Sequence, residues 1–160
     1  MKLVAIRGKS SDRRDRLRYC RQDGSSIEID LPRQGILPHD LVHCIVESGF
    51  GLHGGFMDRV ADGVSPEFQS SKSLLRTDAL GVAESVVEAM QTQLAAGRLD
   101  VEAFHYGVTM ACLARGIVDI PPLDATIAAR IFDACEALNA RWRSLAPTQC
   151  LDVLYPTPTG

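Results

Sequence analysis

The chain is 160 residues long, 46% hydrophobic, with a formal net charge of −3 at pH 7. That length supports one domain, residues 1–160, whose core needs no staple, and the charge balance supplies no global field to hold it on nucleic acid. No apolar run approaches the roughly 18 residues of a membrane-spanning helix, and the apolar part of MKLVAIRGKSSDRR is too short for a signal peptide. Five cysteines without a CxxC pair read as reduced thiols in a cytoplasm.

The first third, residues 1–35, reads as β-rich. Lys2 to Ile6 is short, apolar and strand-like. Leu17 and Tyr19, then Ile27, Ile29 and Leu31, alternate with charged residues at a period of two, and Asp23-Gly24 lies between the two runs. That is a hairpin signal. A lone hairpin is marginal, so the first strand is expected to pair with it. Pro32 and Gly35 end the sheet. Through Arg33 the segment holds nine Lys/Arg against five acids, a local +4, which leaves −7 for the remainder. A basic ribbon of this kind can contact phosphates, but it is more often the solvated face of a sheet or protection of its edge. Only Tyr19 offers a base-stacking ring, so nucleic acid is not the expected partner.

The stretch Leu37–Gly55, LPHDLVHCIVESGFGLHGG, holds three of the four histidines: His39, His43 and His53. Pro38 suits the start of a helix, predicted to run to Glu47 or Ser48 and to end at Gly49. At about 100° per residue, His39, His43, Glu47 and Asp40 fall within about 100° of one another. Leu41, Val42, Cys44, Ile45 and Val46 take the opposite face. Histidines four apart are one turn, about 6 Å, apart and can share one metal ion.

HDLVH resembles the HExxH helix of the zinc metallohydrolases, with Asp in place of Glu. The resemblance implies that His39 and His43 are metal ligands and Asp40 the base acting on water. The whole LPHDLVH…VE…GGF segment is also similar to one found in small uncharacterised bacterial proteins, a resemblance that brings no activity with it. From the residues themselves three readings stay open: a metal site, a metal-free polar pocket, and a solvated helix face on which Asp40 only complements the helix dipole.

Gly49, Gly51, Gly54 and Gly55 form a dense turn that carries His53 but lacks the GKS or GKT of a P-loop. A short helix is expected over Gly55–Ala61, and a Ser-rich loop over Val64–Ser73. The remaining helical part runs to residue 147. One helix, capped by Thr77 or Asp78, carries Ala83, Val87, Met90 and Leu94 on one stripe and closes at Gly97. A second, capped by Asp100, turns Phe104, Val108, Cys112 or Ala111, and Leu113 inward. A third, capped by Asp124, carries Ile127, Ile131, Cys135, Leu138, Trp142 and Leu145 and ends at Pro147. Residues 148–160 read as an extended tail. The fold class is α+β, a small N-terminal antiparallel sheet followed by a helical bundle.

Two functions compete. The first is a metal-dependent hydrolase, with Zn or another divalent ion on His39, His43 and either His53 or a helix carboxylate. Glu84 and Glu88 are four apart and are the candidates for that carboxylate and for an orienting partner behind a ligand. Asp40 or Glu47 would be catalytic, on a small-molecule or peptide substrate. The alternative is a non-catalytic interaction module for a protein or nucleic acid, with HDxxH as a structural helix start. His105, between Phe104 and Tyr106, reads as a packed histidine.

Overall fold

A computed structural model describes residues 1–33, 36–69 and 79–156. Three N-terminal strands, β1 (Lys2–Ile6), β2 (Arg14–Cys20) and β3 (Ser26–Pro32), are followed by six helices. These are α1 (His39–Phe50), α2 (Phe56–Ala61), α3 (Pro66–Gln69), α4 (Ala79–Ala96), α5 (Val101–Ala114) and α6 (Ala125–Ser144). The tail closes the sheet as β4 (Cys150–Leu154). The fold is α+β. The sheet order is β3-β2-β1-β4 with every neighbour antiparallel. Thus the first and last described strands pair, Lys2 opposite Leu154 and Ile6 opposite Cys150.

Period-two alternation sets which residues each strand buries. On β2, Asp15, Leu17 and Tyr19 face the helices, while Arg14, Arg16 and Arg18 stand on the open face. There they meet the acids of β3: Arg14 pairs with Asp30, and Arg16 and Arg18 share Glu28. The hairpin closes with Gly24 at φ +84 and with the Asp23 carboxylate accepting from the Ser25 N–H at 2.8 Å.

Helix α1 is the hub, touching α2, α4, α6 and β4. Its apolar side, Leu41, Val42, Cys44 and Val46, is buried in a core that also holds Leu3, Leu17, Met90, Phe104 and Trp142. The helix overruns its predicted end. Gly49 lies inside it, because a Cβ there would meet the Ile131 side chain at 2.6 Å; the missing side chain lets α6 approach. The terminator is Gly51 at φ +65, with the Leu52 N–H donating to the Glu47 carbonyl at 2.9 Å, a Schellman closure.

Asp100 and Asp124 cap α5 and α6, accepting from the N–H of Ala103 and Ile127 at 3.0 and 2.9 Å. Gly97 and Gly116 follow α4 and α5 in left-handed conformation. Leu113 departs from expectation. It is 51% exposed, since at about 100° per residue it lies half a turn from buried Phe104. Within the predicted Ser-rich loop, Pro66–Gln69 is helical, Pro66 supplying a helix-compatible φ at its start. Gly35, Ser70–Ser73 and the predicted caps Thr77 and Asp78 lie outside the described residues.

Candidate metal centre

The polar side of α1 is not solvated. His43 and Glu47, one turn apart, are 0% and 1% exposed. Two neighbours cover them. α2 brings the Phe56 ring to 4.9 Å from the His43 ring, and α4 runs across the top with Ala83 and Glu84. Burial of two ionisable groups is costly unless each is hydrogen-bonded, and here each is.

His43 Nδ1 lies 2.7 Å from Glu47 Oε1. A carboxylate accepts, so the imidazole donates and carries its proton at Nδ1. The second Glu47 oxygen accepts from the Met57 N–H at 3.1 Å. Glu47 is therefore held at both oxygens, and it fixes the His43 ring so that Nε2 points the other way. A Cβ at Gly55 would lie 2.4 Å from Glu47 Oε2; the glycine makes the space that the carboxylate occupies.

His43 Nε2 is directed at two further groups. His39 Nε2 is 3.1 Å away and Glu84 Oε2 is 3.4 Å away. The triangle closes with 3.6 Å between His39 Nε2 and Glu84 Oε2. These three are the ligand-type side chains whose donor atoms converge among the described residues. An ion with tetrahedral ligands at about 2.0–2.1 Å has donor–donor edges of about 3.3–3.4 Å, and the three observed edges bracket that value. The donor set, two imidazoles and one carboxylate, is one that Zn²⁺ accepts in catalytic sites.

The electrostatics follow from burial and contact. Burial alone pushes His43 down, but the carboxylates of Glu47 and Glu84 outweigh it and raise the imidazole to about 9. Burial opposes ionisation of Glu84, yet its contacts with His39 and His43 hold the carboxyl below the usual carboxylate range. Burial raises Glu47, against the pull of His43. Without an ion, then, His43 is the cation that satisfies two carboxylates.

His39 and Glu84 reach the surface on one wall of a cleft of about 530 Å³, with Asp40, Phe56 and Trp142 also lining it. His43 lies behind this wall. Asp40 is half-buried and accepts from the Tyr19 hydroxyl. Burial, reinforced by the Asp40 charge, raises the Tyr19 phenol, so it stays a donor.

Of the residues singled out in the sequence, His39 and Asp40 line the cleft, whereas His43 is buried behind its wall against His39 and Glu84, with Glu47 as its hydrogen-bond partner. His53 does not join them. Its side chain is 76% exposed on the glycine turn, with Nδ1 3.7 Å from Asp58, and Glu84 takes the third place. Glu88, one turn along α4, is turned away to Arg115 at 2.6 Å. His105 donates to the Leu123 carbonyl at 3.0 Å and ties α5 to the segment before α6. Among the described residues no helix is long and apolar enough to cross a membrane.

Comparison with known proteins finds no matching family, no matching curated protein and no matching solved structure.

Proposed function

We propose that His39, His43 and Glu84 hold a divalent ion of the Zn²⁺ type and that the protein is a metal-dependent hydrolase acting in the adjoining cleft. The observation that supports this reading is the triangle of Nε2, Nε2 and Oε2 at 3.1, 3.4 and 3.6 Å, with Glu47 behind His43. A carboxylate donor behind a ligating histidine is the usual support of such a site, since it fixes tautomer and orientation. His39, His43 and Glu84 would hold the ion, and a divalent ion held there would supply an acidified water molecule. Glu47 has both oxygens engaged and is a positioning residue. Asp40 is the carboxylate of the motif that lines the cleft, and it is assigned the role of general base. In hydrolysis the water oxygen bonds to the acyl carbon, the bond to the leaving amine or alcohol breaks, and the proton taken up by Asp40 passes to the leaving group.

An ion that binds the folded chain alone stabilises it by about 2.7 kcal/mol at a hundredfold excess over Kd. For a chain of this size that corresponds to a rise in melting temperature of roughly 5–10 °C. Chelator-stripped protein, melted with and without Zn²⁺, should show the rise, and His43→Ala should abolish it. Asp40→Asn should keep it while losing hydrolytic turnover. A wild type that melts at one temperature with and without Zn²⁺, Mn²⁺ and Ni²⁺ would exclude the centre and leave an ion-paired polar core.

A further inference from the structure

Helix α5 turns to solvent a face that is not built for solvent. Phe104, Val108 and Cys112 point inward, and a Cβ at Gly107 would touch the Ala89 Cβ of α4 at 3.4 Å. On the opposite side Tyr106, Met110 and Leu113 are each about half exposed or more. At about 100° per residue these three fall within about 60° of one another, a single outward stripe. Exposed Ala103, Thr109 and Ala114 flank it. From Ala103 to Ala114 there is no Lys, Arg, Asp or Glu. An exposed helix face ordinarily carries charge, and α6 of the same chain does so with Arg130, Asp133, Arg141 and Arg143. Contiguous apolar surface of this kind marks an interaction site.

The chemistry of the face says what fits it. Across a two-fold axis a surface meets itself, so any charge near the axis meets its own kind; a face without charge is free of that repulsion. Tyrosine and methionine are also side chains enriched in protein–protein contacts. We infer that two copies of this chain associate through the outer faces of their α5 helices, antiparallel, with Met110 beside Met110 at the axis and Tyr106 of each copy against Leu113 of the other. Glu102, at the start of the helix, decides the direction. In an antiparallel pair centred between Thr109 and Met110 the two Glu102 lie about 22 Å apart along the helices, at about 1.5 Å per residue, beyond a Debye length of about 10 Å. A parallel pair would set them side by side. The area decides the strength. α5 has 14 residues; a helix of that length is about 21 Å long and about 10–12 Å wide, and its outer half offers on the order of 500 Å². Two copies then bury roughly 1,000 Å² between them, the low end of specific interfaces, which sets a weak dimer with Kd of about 1–100 µM.

Sedimentation velocity on the full chain, stripped by chelator so that no ion bridges the copies, reads the association from about 1 to 500 µM. The wild type should pass from monomer to dimer in that range. Met110→Glu places like charges at the axis and should weaken the dimer at least about tenfold. Its circular dichroism and melting temperature should stay close to those of the wild type, because the side chain is half exposed. Mixing Met110→Glu with Met110→Lys should restore a dimer between the two variants, a result that loss of fold in either could not give. Glu102→Gln should leave Kd unchanged; a several-fold tightening would overturn the antiparallel register. A wild type that stays monomeric throughout the range, or a Met110→Glu chain that pairs as tightly as the wild type, overturns the inference.

Discussion

At the scale of single residues, the site is built as much by what is missing at position 55 as by what is present at 43 and 47. Glu47 reaches His43 and the Met57 N–H because Gly55 leaves a gap that a methyl group would fill. A Cβ there would lie 2.4 Å from Glu47 Oε2, 2.9 Å from its Cδ and 3.0 Å from the Ala83 Cβ. Gly55→Ala must therefore displace a buried carboxylate that is held at both oxygens. Overpacking of this kind costs about 1–3 kcal/mol, and loss of the group behind a ligating histidine typically costs about 10–100-fold in metal affinity. Gly51→Ala is the control. Gly51 is held at φ +65 with nothing within 4 Å of its would-be Cβ, so alanine pays about 1–2 kcal/mol of left-handed strain and should leave Zn²⁺ affinity unchanged. Melting and zinc titration of the two variants separate the effects; equal zinc affinities would show that Glu47 does not support the ligand. The sequence made the i, i+4 relation of His43 and Glu47 legible, along with Glu84 and Glu88 as candidates for a third ligand and an orienting carboxylate. It did not show which of the two faces the cluster, because that depends on how α4 rotates over α1, a matter of tertiary packing.

Elements with their own chemical signals were read well, and those decided by a neighbour were not. Asp100 and Asp124 start α5 and α6 because each side chain takes an orphan N–H, a local event. The sequence points to an end of α1 two residues early because Gly49 and Gly51 look alike there. One is small for the sake of Ile131 on α6, and the other reverses the chain. The cap on α6 carries a pH signature. The Ile127 N–H, assisted by Thr126, holds the Asp124 carboxyl below the usual aspartate range. A depressed folded value contributes stability above the unfolded value, about 4, and that contribution is lost as pH falls through the folded value. Asn also caps but does not titrate, and it lacks the charge that favours a helix N-terminus. Wild type should thus be more stable than Asp124→Asn at pH 6–7, and the gap should shrink as pH falls below the unfolded aspartate value of about 4 and through the depressed folded value. A gap that persists undiminished in acid would assign the difference to side-chain geometry and not to charge.

On the scale of the whole molecule, the open face of the sheet is where arginines of the first third meet its acids. The local +4 of the first third already counts Glu28 and Asp30 and so persists in the folded chain, but the arginines of the open face are held in pairs with those two acids. The hairpin register sets Arg16 opposite Asp30 and Arg18 opposite Glu28, and side chains reach one position diagonally to complete the ladder of Arg14–Asp30, Arg16–Glu28 and Arg18–Glu28. The period-two pattern made the face readable; which acid meets which arginine required the register. All three arginines are about half exposed or more in these pairs, where each ion pair is worth roughly 0–1 kcal/mol and is screened by salt. Replacing Arg14, Arg16 and Arg18 by Thr should therefore cost no more than about 3 kcal/mol at low ionic strength, and less at high salt. Threonine keeps the β preference of the strand, so the fold should survive, and the zinc-induced melting shift should be the same as in the wild type because the three arginines pair with Asp30 and Glu28 and not with His39, His43 or Glu84. If the ribbon were instead a nucleic-acid surface, wild type would bind a DNA or RNA duplex with a steep loss of affinity on adding salt, and the triple variant would lose that binding. The ladder of internal acids predicts no such complex, and a filter-binding series from 50 to 200 mM salt decides it.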